Sequence, residues 1–341
     1  MVEKGNSIRE TALKNADINL GKACNNRCLF CANGEPTKEE RRWARAEHVE
    51  REMDRHRQEG AESVGFLGGE PTLYPHLERI IAHARKVGFQ RISICTNASR
   101  LADRERLERF LDAGLTRVAV SIHSHLEAVE DGITRRRGSF AEKVKALRNL
   151  VAMKARGRLP DGLSLNTVLH GKNVDSLDAF VRFMQRLGVG NIRFNFIRPS
   201  HLAEKSRAWI PPLDRVTEAI RRLLVLNESS LHMQLNFADI PLCKLPWEVL
   251  ANRNLLHKYV GENWDLATEV THVRRQPSWD APAGVMRFNW QQRRQEFKNH
   301  PAGCAGCVLR GSCEGVWQKY LDLYGSSEFG TGPALVEACL P

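Results

Sequence analysis

Apolar residues in the first 200 positions alternate between two spacings, which predicts strands and helices in turn. Short β-branched runs are separated by amphipathic stretches, the pattern of repeated βα units around a parallel sheet. The helical spacing i, i+3, i+4, i+7 is seen at Leu77, Ile80, Ile81 and Ala84. The predicted strands cover residues 18–23, 63–67, 91–95, 117–122, 164–169 and 191–197. The predicted helices cover residues 39–59, 76–87, 103–113, 139–156 and 174–187.

Six strands with five intervening helices favour an α/β fold of the partial or full barrel type over a two-layer sandwich. Periodicity alone leaves a doubly wound open sheet as an alternative. The pattern changes after Pro199, where we predict a helix at 213–226, a β-like run at 233–237 and irregular structure with short helices at 244–300. We therefore predict a barrel domain over residues 1–210 and a smaller domain over residues 211–341.

Composition then narrows the class of protein. The 341 residues carry a formal net charge of +11, which raises the question of an anionic partner such as nucleic acid. Many arginines alternate with acids, as at 38–47, which is typical of a solvated helix face. Denser patches at 135–137 and 274–275 keep a nucleic-acid surface as an alternative. The chain has no apolar run long enough for a membrane span and no signal-peptide core at its first residues, which favours a reducing, cytoplasmic location.

The first candidate chemistry is a cysteine triad near the first predicted strand. Cys24, Cys28 and Cys31 have the spacing C-x3-C-x2-C, so one short loop presents three thiolates to one soft-metal centre. The next cysteine, Cys95, lies far downstream, and a four-iron cluster held by three cysteines keeps one iron open. The alternatives are half of a zinc site and a disulfide fragment, and the latter fits a reducing compartment poorly.

A glycine-rich turn, Gly68-Gly69-Glu70-Pro71, follows the second predicted strand. Paired glycines at the carboxyl end of a strand let the backbone approach a ligand closely, and in a barrel this end is the functional face. Glu70 is predicted to accept hydrogen bonds from an ammonium group. The turn alone is a weak signal, and the neighbouring cysteine triad strengthens it.

Together, the triad and this turn resemble the radical S-adenosylmethionine (SAM) superfamily over roughly residues 16–200. The resemblance implies a partial (β/α)6 barrel, with a [4Fe–4S] cluster on Cys24, Cys28 and Cys31 as the catalytic centre and SAM on its open iron. It also implies that residues 68–71 meet the methionine ammonium and that Phe30 lies near the adenine. The implied reaction is reductive cleavage of SAM to a 5′-deoxyadenosyl radical, which abstracts a hydrogen atom from the substrate. An electron donor such as flavodoxin or ferredoxin is the implied partner.

Further SAM contacts are expected from other strand ends on the same face. The matching positions are Thr96, Asn97, Ser121, His123 and Asn166, with Arg135 or Arg136 for the SAM carboxylate. Each has a structural alternative: Asn97 as a turn residue, Ser121 as a satisfied strand hydroxyl, and His123 as a core histidine.

A second cysteine group, Cys304-x2-Cys307-x5-Cys313, lies near the other end of the chain. It resembles the auxiliary-cluster region (SPASM, or the shorter twitch type) of radical enzymes that modify peptides and natural products. The full SPASM pattern has more cysteines, so the resemblance implies one auxiliary [4Fe–4S] cluster. Cys243 is favoured as the fourth ligand over Cys339, and a structural zinc is the alternative.

The sequence thus predicts a radical SAM enzyme that modifies a peptide, of the ribosomally synthesised natural-product type, or a small natural product. A tRNA- or nucleotide-modifying radical SAM enzyme and a non-catalytic iron–sulfur electron-transfer protein are the alternatives. Substrate contacts are expected from Asn195, Arg198 and the 200–300 region.

Overall fold

The computed structural model describes residues 14–200, 206–261, 268–273 and 285–329. The strands in these ranges are β1 (Lys14–Asn19), β2 (Ala61–Leu67), β3 (Arg91–Thr96), β4 (Arg117–Ser121), β5 (Leu163–Leu169), β6 (Asn191–Phe196), β7 (Gln234–Ala238), β8 (Thr268–Val273), β9 (Val285–Asn289), β10 (Lys298–Asn299) and β11 (Val316–Trp317). The helices are α1 (Ala46–Gln58), α2 (Leu77–Lys86), α3 (Arg104–Ala113), α4 (Glu127–Thr134), α5 (Ser139–Ala155), α6 (Leu177–Arg186), α7 (Leu213–Leu226), α8 (Trp247–Leu250), α9 (Arg253–Tyr259), α10 (Trp290–Gln295) and α11 (Gln318–Tyr324).

Nine of the described strands form one mostly parallel sheet in the order β7-β6-β5-β4-β3-β2-β1-β8-β9. Strands β1 to β6 lie side by side in chain order, each parallel to the next. A helix lies between each strand of this set and the next, and two helices, α4 and α5, lie between β4 and β5, as repeated βα units require. The predicted α/β fold with a partial (β/α)6 barrel is confirmed.

The two faces of the sheet differ sharply in polarity. Partners in register point to the same face, and Ile18, Phe66 and Ile94 are in register and buried in the core. The other face carries polar or small residues, and we call its concave side the lumen. The lumen positions include two register rows, Asp17–Gly65–Ser93 and Ser121–Asn166–Arg193.

The first strand starts and ends earlier than predicted. The expected range was 18–23, whereas β1 covers Lys14–Asn19. The sequence of β1 looks polar because Asn15, Asp17 and Asn19 alternate with Ala16 and Ile18, which are buried. Beyond Asn19 the chain leaves the ladder and runs beside the turn that follows β2.

The region predicted to be irregular, 244–300, contains two strands of the main sheet. Strand β8 pairs in parallel with β1, and β9 pairs antiparallel with β8. Arg287 of β9 also forms a 2.7 Å ion pair with Glu52 of α1. At the opposite edge β7 pairs with β6, so strands from beyond residue 210 extend the sheet at both edges. The division into domains at residue 210 stays a prediction.

None of the described helices has both the length and the apolar character needed to cross a bilayer. A membrane-spanning helix needs about 20 predominantly apolar residues. The longest described helix, α5, has 17 residues and includes Glu142 and Lys143.

Candidate active site

The loop with the cysteine triad lies at the carboxyl end of β1, against the glycine turn at the end of β2. The Gly69 amide donates to the Gly21 carbonyl (2.7 Å), and the Glu70 amide donates to the Ala23 carbonyl (2.8 Å). A Cβ atom on Gly69 would lie 2.0 Å from the Ala23 carbonyl oxygen. Because glycine has no Cβ, the two backbones can approach to hydrogen-bonding distance. The two sequence motifs therefore meet backbone to backbone.

Glu70 is an internal anchor in this structure, with 1% of its surface exposed. Its carboxylate accepts hydrogen bonds from the Thr72 amide (3.0 Å) and hydroxyl (2.6 Å), from the Thr96 hydroxyl and from the Asn97 amide (2.6 Å). A carboxylate has about four acceptor sites, so these donors occupy it. The Glu70 side chain thereby joins the ends of β2 and β3. Because its carboxylate is occupied, a ligand at this turn would be contacted by the backbone of the turn.

Helix α4 holds the other side of the cysteine loop. The amides of Arg27 and Leu29 donate to carbonyls at the end of α4, at 3.0 and 3.1 Å. Within α4 the fully buried Glu130 accepts a 2.5 Å hydrogen bond from Lys143 of α5 and another from the His123 amide (2.9 Å). A buried ion pair is costly to break from one side, so this pair fixes α4 beneath the loop.

The three thiols share a half-buried environment. Burial raises the pKa of Cys24 and of Cys31, and it raises the pKa of Cys28 to about 12. The Cys24 sulfur also accepts hydrogen bonds from the Asn26 amide (3.3 Å) and the Asn97 side chain (3.8 Å). Without a metal these thiols stay protonated at neutral pH, and a bound cation would displace the protons.

The spacing of the sulfurs tests which metal centre fits. A tetrahedral zinc with Zn–S bonds of about 2.3 Å holds its sulfurs roughly 3.8 Å apart. In the described part of the chain no three cysteine sulfurs lie within 4.8 Å of one another. The set that meets this limit, His56, Glu59 and Glu269, is bridged by Arg55 through ion pairs to both glutamates. The sulfurs of either cysteine set would therefore have to move closer together to bind a single tetrahedral zinc.

Phe30 packs between two histidines at neighbouring strand ends. Its ring lies 5.0 Å from the ring of His123 and 5.5 Å from that of His170. Burial lowers the pKa of His123 well below its usual range and that of His170 to about 3, so both rings are neutral. His170 was not predicted from the sequence, although it directly follows β5, the strand-end position used to select His123.

Two other predicted residues lie deeper in the lumen, around Cys95. The Asn166 amide is 3.9 Å from the Cys95 sulfur, and the Ser121 hydroxyl is also 3.9 Å from it. Asn97, two residues after Cys95 on the same face, contacts the Cys24 sulfur. The predicted residues thus form two levels, one at the cysteine loop and one below it.

Of the two candidate arginines, Arg136 is the one tied to the cysteine loop. Its Nε donates to the Asn26 side chain (2.7 Å), and it forms a 2.7 Å ion pair with Glu142. Arg135 pairs with Glu35 at the surface. The other basic patch, residues 274–275, lies outside the described residues.

The C-terminal cysteines converge on a second site. Cys243, Cys304, Cys307 and Cys313 line one pocket. Burial, and then the proximity of the other three cysteines, raises the pKa of Cys243 to about 12. Cys339, the alternative fourth ligand, lies outside the described residues.

A buried ion network joins this pocket to the sheet. Asp239, at the end of β7, forms ion pairs with Arg294 (3.2 Å) and Lys298 (2.9 Å). Both cations also pair with Glu314, the neighbour of Cys313. Burial alone would raise the pKa of Asp239, but the charges of Lys298 and Arg294 outweigh it and hold this pKa below its usual value. The network thus joins the segments on which Cys243 and Cys313 lie.

Comparison with known proteins gives one family and several solved structures. Residues 18–184 match the family model described as the Radical SAM superfamily. The structure of Streptococcus suis SuiB bound to precursor peptide SuiA superposes with a TM-score of 0.53 at 15% identity, over 76% of this chain and 57% of that chain. The same protein bound to S-adenosylmethionine gives a TM-score of 0.54 at 16% identity, over 76% of this chain and 56% of that chain.

A second similar structure is native anSMEcpe with bound AdoMet and the Kp18Cys peptide. It superposes with a TM-score of 0.54 at 15% identity, over 72% of this chain and 67% of that chain. At such identities these proteins share the fold with this chain. The alignment with SuiB also spans less than two thirds of the SuiB chain.

Proposed function

The chain belongs to the radical SAM superfamily, and we propose that it is an enzyme that cleaves S-adenosylmethionine reductively and modifies a peptide or a small natural product. The observation that carries this proposal is the backbone docking of the cysteine loop onto the glycine turn. This docking places three thiols at the carboxyl edge of the sheet, above a polar lumen. In barrel enzymes that edge is where catalysis occurs.

Cys24, Cys28 and Cys31 would hold a [4Fe–4S] cluster, and residues 68–71 would line the SAM site through their backbone. When bound, the cluster and SAM supply an electron and a 5′-deoxyadenosyl radical that removes a hydrogen atom from the substrate. The protein orients these groups and keeps water out. Phe30, held between two neutral buried histidines, would form an apolar wall on the side where the resemblance implies adenine.

The lumen residues would hold the rest of the reacting complex. Asn97 contacts both the Cys24 sulfur and the Asn25 side chain (2.8 Å), so it would position the loop from below. Ser121 and Asn166 lie one level lower and would meet SAM or the substrate. Arg135 or Arg136 would contact the SAM carboxylate.

The second site would hold an auxiliary [4Fe–4S] cluster on Cys243, Cys304, Cys307 and Cys313. Four thiols around one pocket support this assignment. Such a cluster would accept an electron from a substrate radical or anchor the substrate.

The proposed substrate class rests on solved structures that share this fold. SuiB and anSMEcpe, which share the fold, were each determined with a bound peptide. We propose a peptide as the first candidate substrate, with flavodoxin or ferredoxin as electron donor. Co-expression with short open reading frames beside its gene, followed by peptide mass spectrometry, tests the class. Tight, steeply salt-dependent tRNA binding would contradict it.

The cleavage activity has a test that needs no substrate. The anaerobically reconstituted protein, reduced with dithionite, should convert SAM to 5′-deoxyadenosine, detected by chromatography and mass spectrometry. Replacing Cys24, Cys28 and Cys31 by alanine should abolish the product, whereas Cys95→Ala should retain it. Cleavage that survives the triple replacement would contradict the assignment of the triad.

Iron and sulfide counts test the second site separately. The wild type should carry about eight irons, and Cys304→Ala/Cys307→Ala about four, with the first cluster retained. A wild-type count near four together with bound zinc would contradict the auxiliary cluster.

A further inference from the structure

Arg193 is a cation of the lumen. It lies in the middle of β6, in register with Asn166 of β5 and Asn236 of β7, so it shares the lumen face with the polar residues around Cys95. Its side chain is open to the lumen although protein surrounds it on most sides, and burial lowers its pKa. Arg193 is thus accessible to solvent, while the protein around its guanidinium is dense enough to oppose its charge.

A chain of polar contacts fixes this arginine on one side. Its Nε donates to the Asn195 side chain (3.2 Å), and Asn195 donates to Asn166. Asn166 in turn contacts the Cys95 sulfur (3.9 Å). No described residue accepts a hydrogen bond from the two Nη nitrogens of Arg193, so the fork of the guanidinium is presented to the lumen.

Two acids, Asp239 and Asp17, attract the Arg193 guanidinium electrostatically and offset part of the cost of its burial. Asp239 is held by its ion pairs with Lys298 and Arg294. Asp17, on β1, accepts a hydrogen bond from Asn15 (3.2 Å). Within the described residues no carboxylate lies within 4.0 Å of the Arg193 guanidinium. An unpaired cation in a partly desolvated recess is costly, and a bound anion would relieve that cost.

We propose that Arg193 determines substrate specificity by binding a carboxylate group of the substrate in the lumen. This inference rests on the proposed function, because it takes the lumen as the substrate chamber. A planar guanidinium with both Nη nitrogens free matches a carboxylate in bidentate geometry.

The position of Arg193 suits an anchor below the reacting centre. Its electrostatic neighbour Cys95 lies two residues before Asn97, which contacts Cys24. Two residues of a strand span about 6.6 Å. A substrate anchored at Arg193 would therefore extend upward toward the cysteine loop, and its carboxylate would be the fixed end.

A matched pair of probes tests the charge preference. N-acetylglutamate amide and N-acetylglutamine amide differ only in the side-chain carboxylate. Their binding to the reconstituted, unreduced full chain with SAM is measured by isothermal titration and ligand-observed NMR. The wild type should prefer the glutamate probe by about tenfold, the usual size of a charge-assisted contact. Arg193→Gln should abolish the preference, and Arg193→Lys should retain part of it.

Arg222→Gln on the outer surface of α7 is the control and should leave the preference unchanged. Circular dichroism and the melting temperature verify that each variant is folded. Equal binding of the two probes, or no binding of either by the wild type, overturns the inference, as does a preference that survives in Arg193→Gln. Loss of SAM binding in that variant, with probe preference unchanged, would assign the guanidinium to SAM and also overturn it. Failure of the proposed function shows separately, as absence of 5′-deoxyadenosine from the reduced wild type.

Discussion

The two cysteine sites are built by different physical means. At the first, the chain's own backbone holds the loop, with amides of Gly69 and Glu70 hydrogen-bonded to the loop carbonyls. At the second, side-chain charges hold the segments, with Asp239 and Glu314 sharing Arg294 and Lys298. Backbone docking fixes a loop geometrically, whereas an ion network fixes it only while every charge has its partner.

This difference predicts different sensitivities. The first site should fail when a side chain enters the docking contact, whatever its chemistry. The second should tolerate a small added group at Gly306 but fail when one charge is removed, because the remaining buried charges are left uncompensated. Because the two sites are held differently, a substitution at one site should leave the iron content of the other unchanged, and the unchanged site serves as the control.

The largest effect is expected from Gly69→Ala. The new Cβ would meet the Ala23 carbonyl oxygen at 2.0 Å and its carbon at 2.5 Å, and neither backbone atom can yield without moving the loop. We expect the variant to lose iron from the first site and more than about 3 kcal/mol in the free energy of unfolding. Iron counting and urea unfolding measure both effects.

The matched control is Gly306→Ala, inside the second cysteine group. A Cβ there would meet nothing within 4 Å, so iron content and stability should stay at the wild-type level. Equal losses in the two variants would show that the first loop is not held by backbone docking.

The next effect is expected from Asp239→Asn. The variant keeps the shape of the side chain and tolerates the positive φ of 62° at this position, but it removes the anion between Lys298 and Arg294. We expect a loss of about 3 kcal/mol in the free energy of unfolding and a drop of iron at the second site, with the first site retained.

The control is Glu296→Gln, which removes an exposed ion pair to Arg293 and should cost less than about 1 kcal/mol. A loss as large in the control would mean that burial of the network is unimportant.

The α/β pattern of the fold was predictable because its helices and strands have clear periods, whereas the choice of a partial barrel over an open sheet depended on the resemblance carried by the cysteine triad and the glycine turn. Helix α7 was placed at its observed bounds, and the six strands were found within a few residues. The prediction for strand β1 starts too late because Asn15, Asp17 and Asn19 are poor strand formers, although they alternate with the buried Ala16 and Ile18. Strands β8 and β9 were not predicted because they are short and carry polar residues such as Glu269 and Arg287. The six predicted strands also already accounted for the expected barrel.

The candidate site was only partly predictable for a different reason. Spacing locates the cysteines, because their chemistry is visible in the letters themselves. Spacing does not reveal that the Glu70 carboxylate accepts all its hydrogen bonds from protein donors. Nor does it reveal that Arg193 lacks an ion-pair partner among the described residues. Those properties arise from contacts between strands distant in sequence, which a period along one strand cannot encode.

Two acids of the sheet, Asp17 on β1 and Asp239 at the end of β7, differ in the direction in which the protein shifts their pKa. Asp239 has cationic partners and a lowered pKa, whereas burial raises the pKa of Asp17 from 3.8 to about 6. Because the folded pKa of Asp17 exceeds its unfolded value, its contribution favours the folded state at low pH and is lost as pH rises through 6. Asp17→Asn should therefore stabilise the protein by up to about 3 kcal/mol at pH 8 and roughly half of that at pH 5.

Urea unfolding at the two pH values measures this gain. Asp112→Asn, at an exposed ion pair with Arg158, is the control and should show no pH-dependent gain. A gain from Asp17→Asn that is independent of pH would show that ionisation of Asp17 in the lumen is not its source.

The smallest effects are expected from substitutions of the two arginines near the first site. Comparing these effects shows which arginine supports SAM binding there. Arg136 orients Asn26, whose amide donates to the Cys24 sulfur, whereas Arg135 pairs with Glu35 at the surface. Loss of one such hydrogen bond is worth about 1 kcal/mol, so Arg136→Gln should weaken SAM binding by roughly fivefold. Arg135→Gln should change it less than about twofold, since exposed ion pairs contribute little. Equilibrium dialysis with labelled SAM compares the two variants. The reverse order would assign the SAM carboxylate to Arg135 and show that the contact of Arg136 with the loop is dispensable.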